Sequence, residues 1–212
     1  MRLKIITLIS ACTYLCLSCG GSDTPAVGEG AAFSTLSTVP TGVELWTALS
    51  DAIRTSTTSA RIPVTRAQTG GGSKTLTCSG GGSINLSATA NITSVSNGQA
   101  QAGTLSGQGS FQDCKVTLAL SGGSQTETIT GSESVNDVAE SGHLNISNSV
   151  KLTGSGDLGF SVDCDLTQNY TASGTEPSGS CTFRDSAGAE ITAASADLGA
   201  NFILVANPFD IL

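Results

Sequence analysis

Cysteine is the residue type with the clearest chemistry in this chain of 212 residues. The seven cysteines fall into two groups, one near the start and one spread through the body: Cys12, Cys16 and Cys19, then Cys78, Cys114, Cys164 and Cys181. A thiolate cluster for zinc usually shows close C-x-x-C pairs. No two cysteines of the second group are close neighbours in sequence, so we expect disulfides there and no metal site.

The first 18 residues predict a secretory signal. Arg2 and Lys4 precede an apolar run from Ile5 to Leu17, which is too short for a membrane-spanning helix of about 20 residues. Cys19 follows directly behind this run. The arrangement resembles the signal of bacterial lipoproteins, in which the cysteine becomes the first mature residue and is acylated on its thiol and its amine. The resemblance implies that residues 1–18 are removed and that Cys19 carries the lipid.

Two alternatives stay open at this end of the chain. Cys12 follows Ile9-Ser10-Ala11, which fits the local lipoprotein pattern, but it leaves an apolar region of about five residues where about 7 to 15 are usual. The segment could also be an ordinary secretory signal with an incidental cysteine. The lipoprotein resemblance further implies an outer-membrane location, facing the periplasm or the cell surface. Gly20 takes the second mature position, where enteric lipoproteins of the inner membrane carry aspartate.

The charge balance argues against nucleic acid as a partner. The chain carries 17 Asp and Glu against nine Lys and Arg, and removal of Arg2 and Lys4 with the signal leaves a formal charge of −10. Nucleic-acid binding and electrostatic attraction to anionic lipid both need clustered basic residues. We therefore expect the membrane to be held through the acyl chains on Cys19, since several chains together anchor a protein stably.

Ahead of the β-rich body the sequence predicts a tether and one helix. Residues 19–40 are rich in Gly, Ser, Thr, Ala and Pro without periodicity, which predicts a flexible tether. Thr41 and Glu44 have capping-box spacing, and an apolar stripe follows at helical intervals: Val43, Trp46, Leu49 and Ile53. The pattern predicts an amphipathic helix over residues 42–59. Trp46 is expected to be a core residue on this stripe, with a ligand-stacking role as the alternative.

Beyond the glycines at 70–72 the hydrophobic period changes from helical to two. The clearest alternation places apolar residues at every second position of one segment: Ile84, Leu86, Ala88, Ala90 and Ile92. Similar alternation recurs over residues 144–152 and 158–166, between turns rich in Gly and Ser. The phase reverses between Phe111 and Cys114, so a bulge or turn must fall near Gln112 and Asp113.

These patterns predict a mainly β fold. We expect an antiparallel meander, as a curved sheet or partly open barrel, with one N-terminal amphipathic helix, in a single domain over residues 41–212. The four body cysteines all share the apolar phase of their strands and allow three connectivities. Because a meander places consecutive segments side by side, we expect the pairs Cys78 with Cys114 and Cys164 with Cys181.

Three other patterns could carry chemistry. Residues 154–159 satisfy G-x-G-x-x-G, but a dinucleotide fingerprint must open a helix, and here a strand pattern follows. Asp157, Asp163 and Asp165 share one outward phase, with calcium binding or acid–base catalysis as the alternative to a solvated face. His143 is the single histidine and has no nucleophile or metal motif beside it. We expect no catalytic residue and no cofactor.

The most apolar run of the body lies near the end of the chain. Phe202-Ile203-Leu204-Val205, with Phe209, Ile211 and Leu212 behind it, predicts a last buried strand. An exposed edge for a partner, or a lid over a lipid cavity, are the alternatives.

The function expected from these features is coarse. Segments 78–84 and 111–116 resemble those of uncharacterised secreted lipoproteins of Gram-negative bacteria, a resemblance that implies no known activity. We expect a non-enzymatic envelope lipoprotein with a structural or binding role, whose partner is an unidentified protein or apolar ligand. The alternative is a carrier of lipid or another apolar ligand in a cavity between sheet and helix. An open cavity there would favour the carrier, and a filled core the structural role.

Overall fold

The computed structural model describes residues 26–56, 68–96, 99–140, 143–171, 173–199 and 202–205. Within these ranges the chain forms two helices and eight strands: α1 Gly42–Ser56, β1 Gln68–Thr77, β2 Ser83–Ser96, β3 Gln99–Leu120, β4 Gly123–Glu140, β5 His143–Gly156, β6 Phe160–Thr171, β7 Gly174–Asp185, β8 Glu190–Ala194 and α2 Ser195–Leu198. A short 3₁₀ turn, Phe33–Thr35, precedes α1.

The eight strands form one antiparallel sheet in which each strand pairs with the next along the chain. The order begins at β1 and ends at β8 without closing, so the predicted open meander is confirmed. One face of the sheet is apolar and buried, because apolar and polar residues alternate along each strand. On β2 the apolar residues at even positions, from Ile84 to Ile92, are 0–5% exposed, while the polar residues between them face solvent.

The reversal of phase in β3 is a β-bulge, as the sequence predicted. The register with β4 shifts between Phe111 and Cys114, and Asp113 takes a positive φ of 50°. The turn between β1 and β2 packs directly on this bulge. A Cβ on Gly82 would lie 2.0 Å from the Asp113 carbonyl oxygen, so only glycine fits there.

Both predicted disulfides are confirmed. Cys78 follows β1 and reaches across the turn to Cys114 beside the bulge, with their Cα atoms 5.5 Å apart. Cys164 and Cys181 lie directly opposite each other on β6 and β7, with their Cα atoms 4.0 Å apart. All four cysteines are 0–2% exposed, so each disulfide also belongs to the hydrophobic core.

Helix α1 covers the apolar face of the sheet. It begins at Gly42, where the Thr41 hydroxyl accepts a hydrogen bond from the Glu44 amide at 3.1 Å. Its buried stripe contains Trp46 and Ile53. Because α1 contacts β3 on one side and β7 and β8 on the other, the sheet must curve around it. Residues 57–59, the predicted end of the helix, lie outside the described residues.

The expectation of a flexible tether over residues 19–40 needs correction from residue 26 onward. Ala31 forms a parallel bridge with Leu158, and the Gly28 amide donates to the Phe160 carbonyl at 3.4 Å. Phe33 is 1% exposed within the core. Burial of this aromatic ring and the backbone pairing together hold the segment on the sheet. Residues 19–25 lie outside the described part of the chain.

The expectation of a last strand at 202–205 is wrong. These residues form an irregular segment, although Phe202 and Leu204 are buried. Their apolar character indicated burial correctly, but it does not require pairing with a neighbouring strand. Phe209, Ile211 and Leu212 lie outside the described residues.

The burial of Trp46 gives a stability prediction. Trp46→Ala removes the largest side chain of the α1 stripe and should lower the free energy of unfolding by about 3 to 5 kcal/mol, measured by denaturant titration. Thr47→Ala, at an exposed position of the same helix, should change it by less than about 0.5 kcal/mol. Wild-type stability together with lost binding of an apolar probe would contradict a core role for Trp46.

Candidate functional site

The sequence-predicted site residues do not converge on one place. Trp46 is 1% exposed and lies in the core, where Phe33, Phe160 and Phe183 are equally buried. The rings of Phe160 and Phe183 pack with their centroids 6.2 Å apart. The described interior between α1 and the sheet is therefore filled with side chains at the position where a ligand-stacking Trp46 would need space. Cys19 lies outside the described residues.

The concentration of polar chemistry lies instead on β4, which the sequence analysis did not find. We call Glu127, Glu133 and Asp137 the inner acidic row, because all three point to the buried face and are 0–1% exposed. They occupy the odd positions of β4 together with Ile129 and Val135, which are also buried. The period of two is present in the sequence of β4. It is not visible as an alternation of apolar and polar residues, because carboxylates occupy some of the inward positions.

Glu133, at the centre of the inner acidic row, binds the C-terminal segment. Its Oε1 atom accepts hydrogen bonds from the Leu204 amide at 2.7 Å and from Asn148 Nδ2 at 3.0 Å. Its Oε2 atom accepts from the Val205 amide at 2.8 Å. Asn148 Nδ2 also donates to the Phe202 carbonyl at 2.5 Å. One buried carboxylate and one buried amide thus satisfy the backbone of a segment that has no strand partner.

Glu127, at the start of the inner acidic row, contacts Leu158, which pairs with Ala31 of the N-terminal segment. Its Oε1 atom accepts a hydrogen bond from the Leu158 amide at 2.5 Å, and Oε2 has no partner among the described residues. Burial raises the pKa of Glu127 to about 7, and the nearby charge of Asp157 acts in the same direction. The hydrogen bond from Leu158 opposes this rise.

Asp137 occupies the other end of the row. Burial raises the pKa of Asp137 to about 7, and its Oδ1 atom has no partner in the described part of the chain. Tyr170 lies within its electrostatic reach: the pKa of Tyr170 is raised, first by burial and second by the charge of Asp137. The Tyr170 hydroxyl donates to Gln168 Oε1 at 2.5 Å, and Gln168 Nε2 donates to the Gly199 carbonyl at 2.6 Å.

A fourth buried carboxylate, Asp185 at the end of β7, repeats the role of Glu133. Its Oδ2 atom accepts from the Phe33 amide at 2.9 Å, and Oδ1 accepts from the amides of Ala187 and Ala189 at 2.9 and 2.8 Å. Asp185 therefore joins the N-terminal segment to the turn between β7 and β8. Glu133 and Asp185 thus act on the backbone of the protein itself, where N–H donors compensate their buried charge.

The remaining motifs have structural positions. Residues 154–156 end β5 and residues 157–159 connect it to β6, so a strand follows the glycines and no helix opens there. Asp157 Oδ2 accepts from the Thr126 amide at 2.7 Å, which ties this turn to β4. Asp163 and Asp165 face outward on β6, and His143 is exposed at the first position of β5. No three metal-ligating side chains cluster within the described residues.

The comparisons with known proteins add nothing to this geometry. No family model matches the chain, and neither a curated protein nor a solved structure is significantly similar to it. Within the described ranges, neither helix combines the length and the apolar character needed to cross a membrane.

The raised pKa values in the inner acidic row predict that the protein becomes less stable as the pH rises. In the unfolded chain Glu127 and Asp137 return to their ordinary pKa values of 4.5 and 3.8, whereas in the fold both lie at about 7. The native state therefore binds more protons between these values, and the free energy of unfolding should fall as the pH rises from about 4.5 to about 7. Denaturant titrations across this range should show a loss of up to about 3 kcal/mol for each of the two groups.

Matched variants identify the groups responsible. Glu127→Gln and Asp137→Asn should each reduce the loss of stability with rising pH. Asp165→Asn, which removes an exposed carboxylate of β6, should leave it unchanged. A stability that rises steadily from pH 4.5 to pH 7 in the wild-type protein would contradict the buried, proton-binding state of both side chains.

Proposed function

We propose that this protein is a non-enzymatic lipoprotein of the bacterial outer membrane, anchored by acyl chains on Cys19, with a β domain that has a structural or binding role in the envelope. The resemblance of the first 19 residues to a lipoprotein signal supports the anchor. The observation that carries the choice of role is the filled interior between α1 and the sheet.

A carrier of apolar ligands needs an enclosed apolar cavity of about 300 to 1,000 Å³. In this fold the corresponding space contains Leu45, Trp46, Leu49 and Ile53, each 0–1% exposed. The described recesses lie on the outside of the body. One of about 470 Å³ is lined mostly by polar side chains of the outer face, among them Asn85 and Gln108. The filled interior thus favours an outer surface for binding over an internal ligand.

The arrangement of buried carboxylates supports a role without catalysis. General acid–base chemistry needs a carboxyl group that can reach a substrate. Glu133 and Asp185 each accept three hydrogen bonds from the protein itself, and Glu127 accepts one from the Leu158 amide. These groups organise the fold.

The proposed anchor and the fold together suggest which end of the sheet faces the membrane. The first described residue, Ala26, accepts a hydrogen bond at its carbonyl from Thr153 Oγ1 at 2.8 Å, close to the turn between β5 and β6. The seven residue steps from Cys19 to Ala26 span at most about 25 Å when fully extended. We therefore infer that the end of the sheet with the β5–β6 turn faces the membrane.

Membrane fractionation tests the proposed anchor. Cys19→Ala should move the mature protein from the membrane fraction to the soluble fraction and abolish incorporation of labelled palmitate. Cys12→Ala is the matched control and should leave both properties unchanged. If Cys12→Ala releases the protein while Cys19→Ala does not, the anchor lies at Cys12; if neither variant changes fractionation, the protein is not held through lipid at either cysteine.

A further inference from the structure

Strand β3 extends beyond its neighbour β2. Residues 99–112 of β3 pair with β2, whereas residues 114–120 pair with β4 alone. Among the described residues, the other edge of this second half therefore lacks a neighbouring strand over about 20 Å, at about 3.3 Å per residue. We call residues 115–120 of β3, together with Ser121 of the following turn, the β3 edge.

The backbone groups of the β3 edge point away from β4. The Lys115 amide donates to the Gly81 carbonyl at 3.0 Å, and the Ser121 amide donates to Glu44 Oε1 at 2.5 Å. Because backbone groups along a strand alternate in direction, the N–H and C=O groups of Thr117 and Ala119 point to the same open side. They have no backbone or side-chain partner there among the described residues.

The hydrogen bonds of β4 confirm that the backbone groups of Thr117 point away from β4. Thr126, which lies opposite Thr117 on β4, donates its amide to Asp157 Oδ2 at 2.7 Å. Its carbonyl accepts from the Asp157 amide at 3.0 Å. Both groups of Thr126 thus face away from β3, so Thr117 and Thr126 form a non-hydrogen-bonded pair. In the described part of the chain, the outward backbone groups of Thr117 therefore take part in no strand pairing.

A groove runs along the β3 edge, with helix α1 as its other wall. Its main part encloses about 520 Å³ between Ala48 and Asp51 of α1 and Thr117 and Ala119 of β3. A second recess of about 250 Å³ continues it toward Lys115. The groove is closed at one end by the β1–β2 turn, and at the other by the contact between Glu44 and the Ser121 amide.

The charges of the groove are separated along its length. Glu44 and Asp51 lie on the α1 wall, and Lys115 lies at the far end. Hydrogen bonds from Ser121, and a weaker one from the Thr41 backbone, lower the pKa of Glu44, so this side chain stays charged near neutral pH. The α1 wall is therefore acidic. A second copy of this chain, with its net charge of −8, is a poorer match to that wall than a basic segment.

We propose that this groove binds an extended, basic peptide segment of a partner protein, which adds to the β3 edge as a short strand and places a Lys or Arg side chain beside Asp51. The ladder would be completed by the free N–H and C=O groups of Thr117 and Ala119, as in other cases of strand addition. This inference supplies a partner class for the binding role proposed above. It does not depend on the lipid anchor.

Hydrogen exchange on the mature protein tests the proposal with a defined probe. The probe is a synthetic six-residue peptide of alternating Val and Thr with a Lys at each end. Before peptide is added, the amides of Thr117 and Ala119 should exchange much faster than those of Val116 and Leu118, which face β4. Saturating peptide should slow the exchange of Thr117 and Ala119 at least about tenfold and leave Val116 and Leu118 unchanged.

A peptide of the same sequence that is N-methylated at every internal residue provides the matched control for backbone pairing. It keeps the side chains and charges but has no internal N–H donor on either edge. It should lose the effect on exchange. Binding as strong as that of the unmethylated peptide would overturn strand addition.

Variants of groove residues distinguish the contribution of backbone pairing to peptide binding from the contribution of the acidic side chain. Ala119→Pro removes the outward N–H without removing a bond to β4, which edge strands tolerate, so the melting temperature should stay within a few degrees and peptide binding should be lost. Ala119→Ser should bind as the wild type does. Asp51→Lys should weaken binding of the Lys-bearing peptide at least about fivefold.

Three further results would overturn the proposal. The first is unchanged exchange at millimolar peptide in a folded protein. The second is peptide binding that survives Ala119→Pro. The third is a concentration-dependent dimer that Ala119→Pro abolishes, which would assign the β3 edge to a second copy. Because none of these measurements involves Cys19, failure of the membrane anchor and failure of the β3 edge remain distinguishable.

Discussion

The structure depends on covering one apolar face of an open sheet. A meander of eight strands that does not close cannot bury this face against itself alone, so other segments must do so. Helix α1 supplies the largest apolar side chain through Trp46, and the irregular segments around Phe33 and Leu204 complete the cover. Irregular segments bring backbone N–H groups into the interior, where each needs an acceptor. Glu133 and Asp185 are those acceptors.

This arrangement explains why acidic residues are found inside a small domain. A buried carboxylate without partners is unfavourable, whereas one that accepts several N–H donors is compensated. Glu133 and Asp185 meet that condition, and Glu127 and Asp137 each retain one buried oxygen without a partner among the described residues. The latter two accordingly have raised pKa values. The chemistry of the interior thus serves the fold, and the free bonding capacity described for the backbone lies outside, at the β3 edge.

Much of the fold could be predicted because it follows from the period of the sequence. The alternation on β2 set the inward face, the phase reversal after Phe111 located the bulge, and the order of a meander gave both disulfide pairs. Strand β4 could not be predicted in this way, because Glu133 and Asp137 occupy inward positions that are mostly apolar in the other strands. The segment at 202–205 is buried without forming a strand, because apolar character indicates burial and not pairing. The β3 edge could not be predicted, since it depends on where β2 ends relative to its partner.

We propose that the domain has a filled interior and binds its partner through its outer surface. Native mass spectrometry of the protein extracted gently from its own membrane tests this most directly, because non-covalent lipid survives such extraction. We expect one species, whose mass is that of the mature chain with two disulfides and the acyl groups on Cys19. A further, stoichiometric lipid that dissociates on unfolding would contradict it and would place the ligand inside the domain.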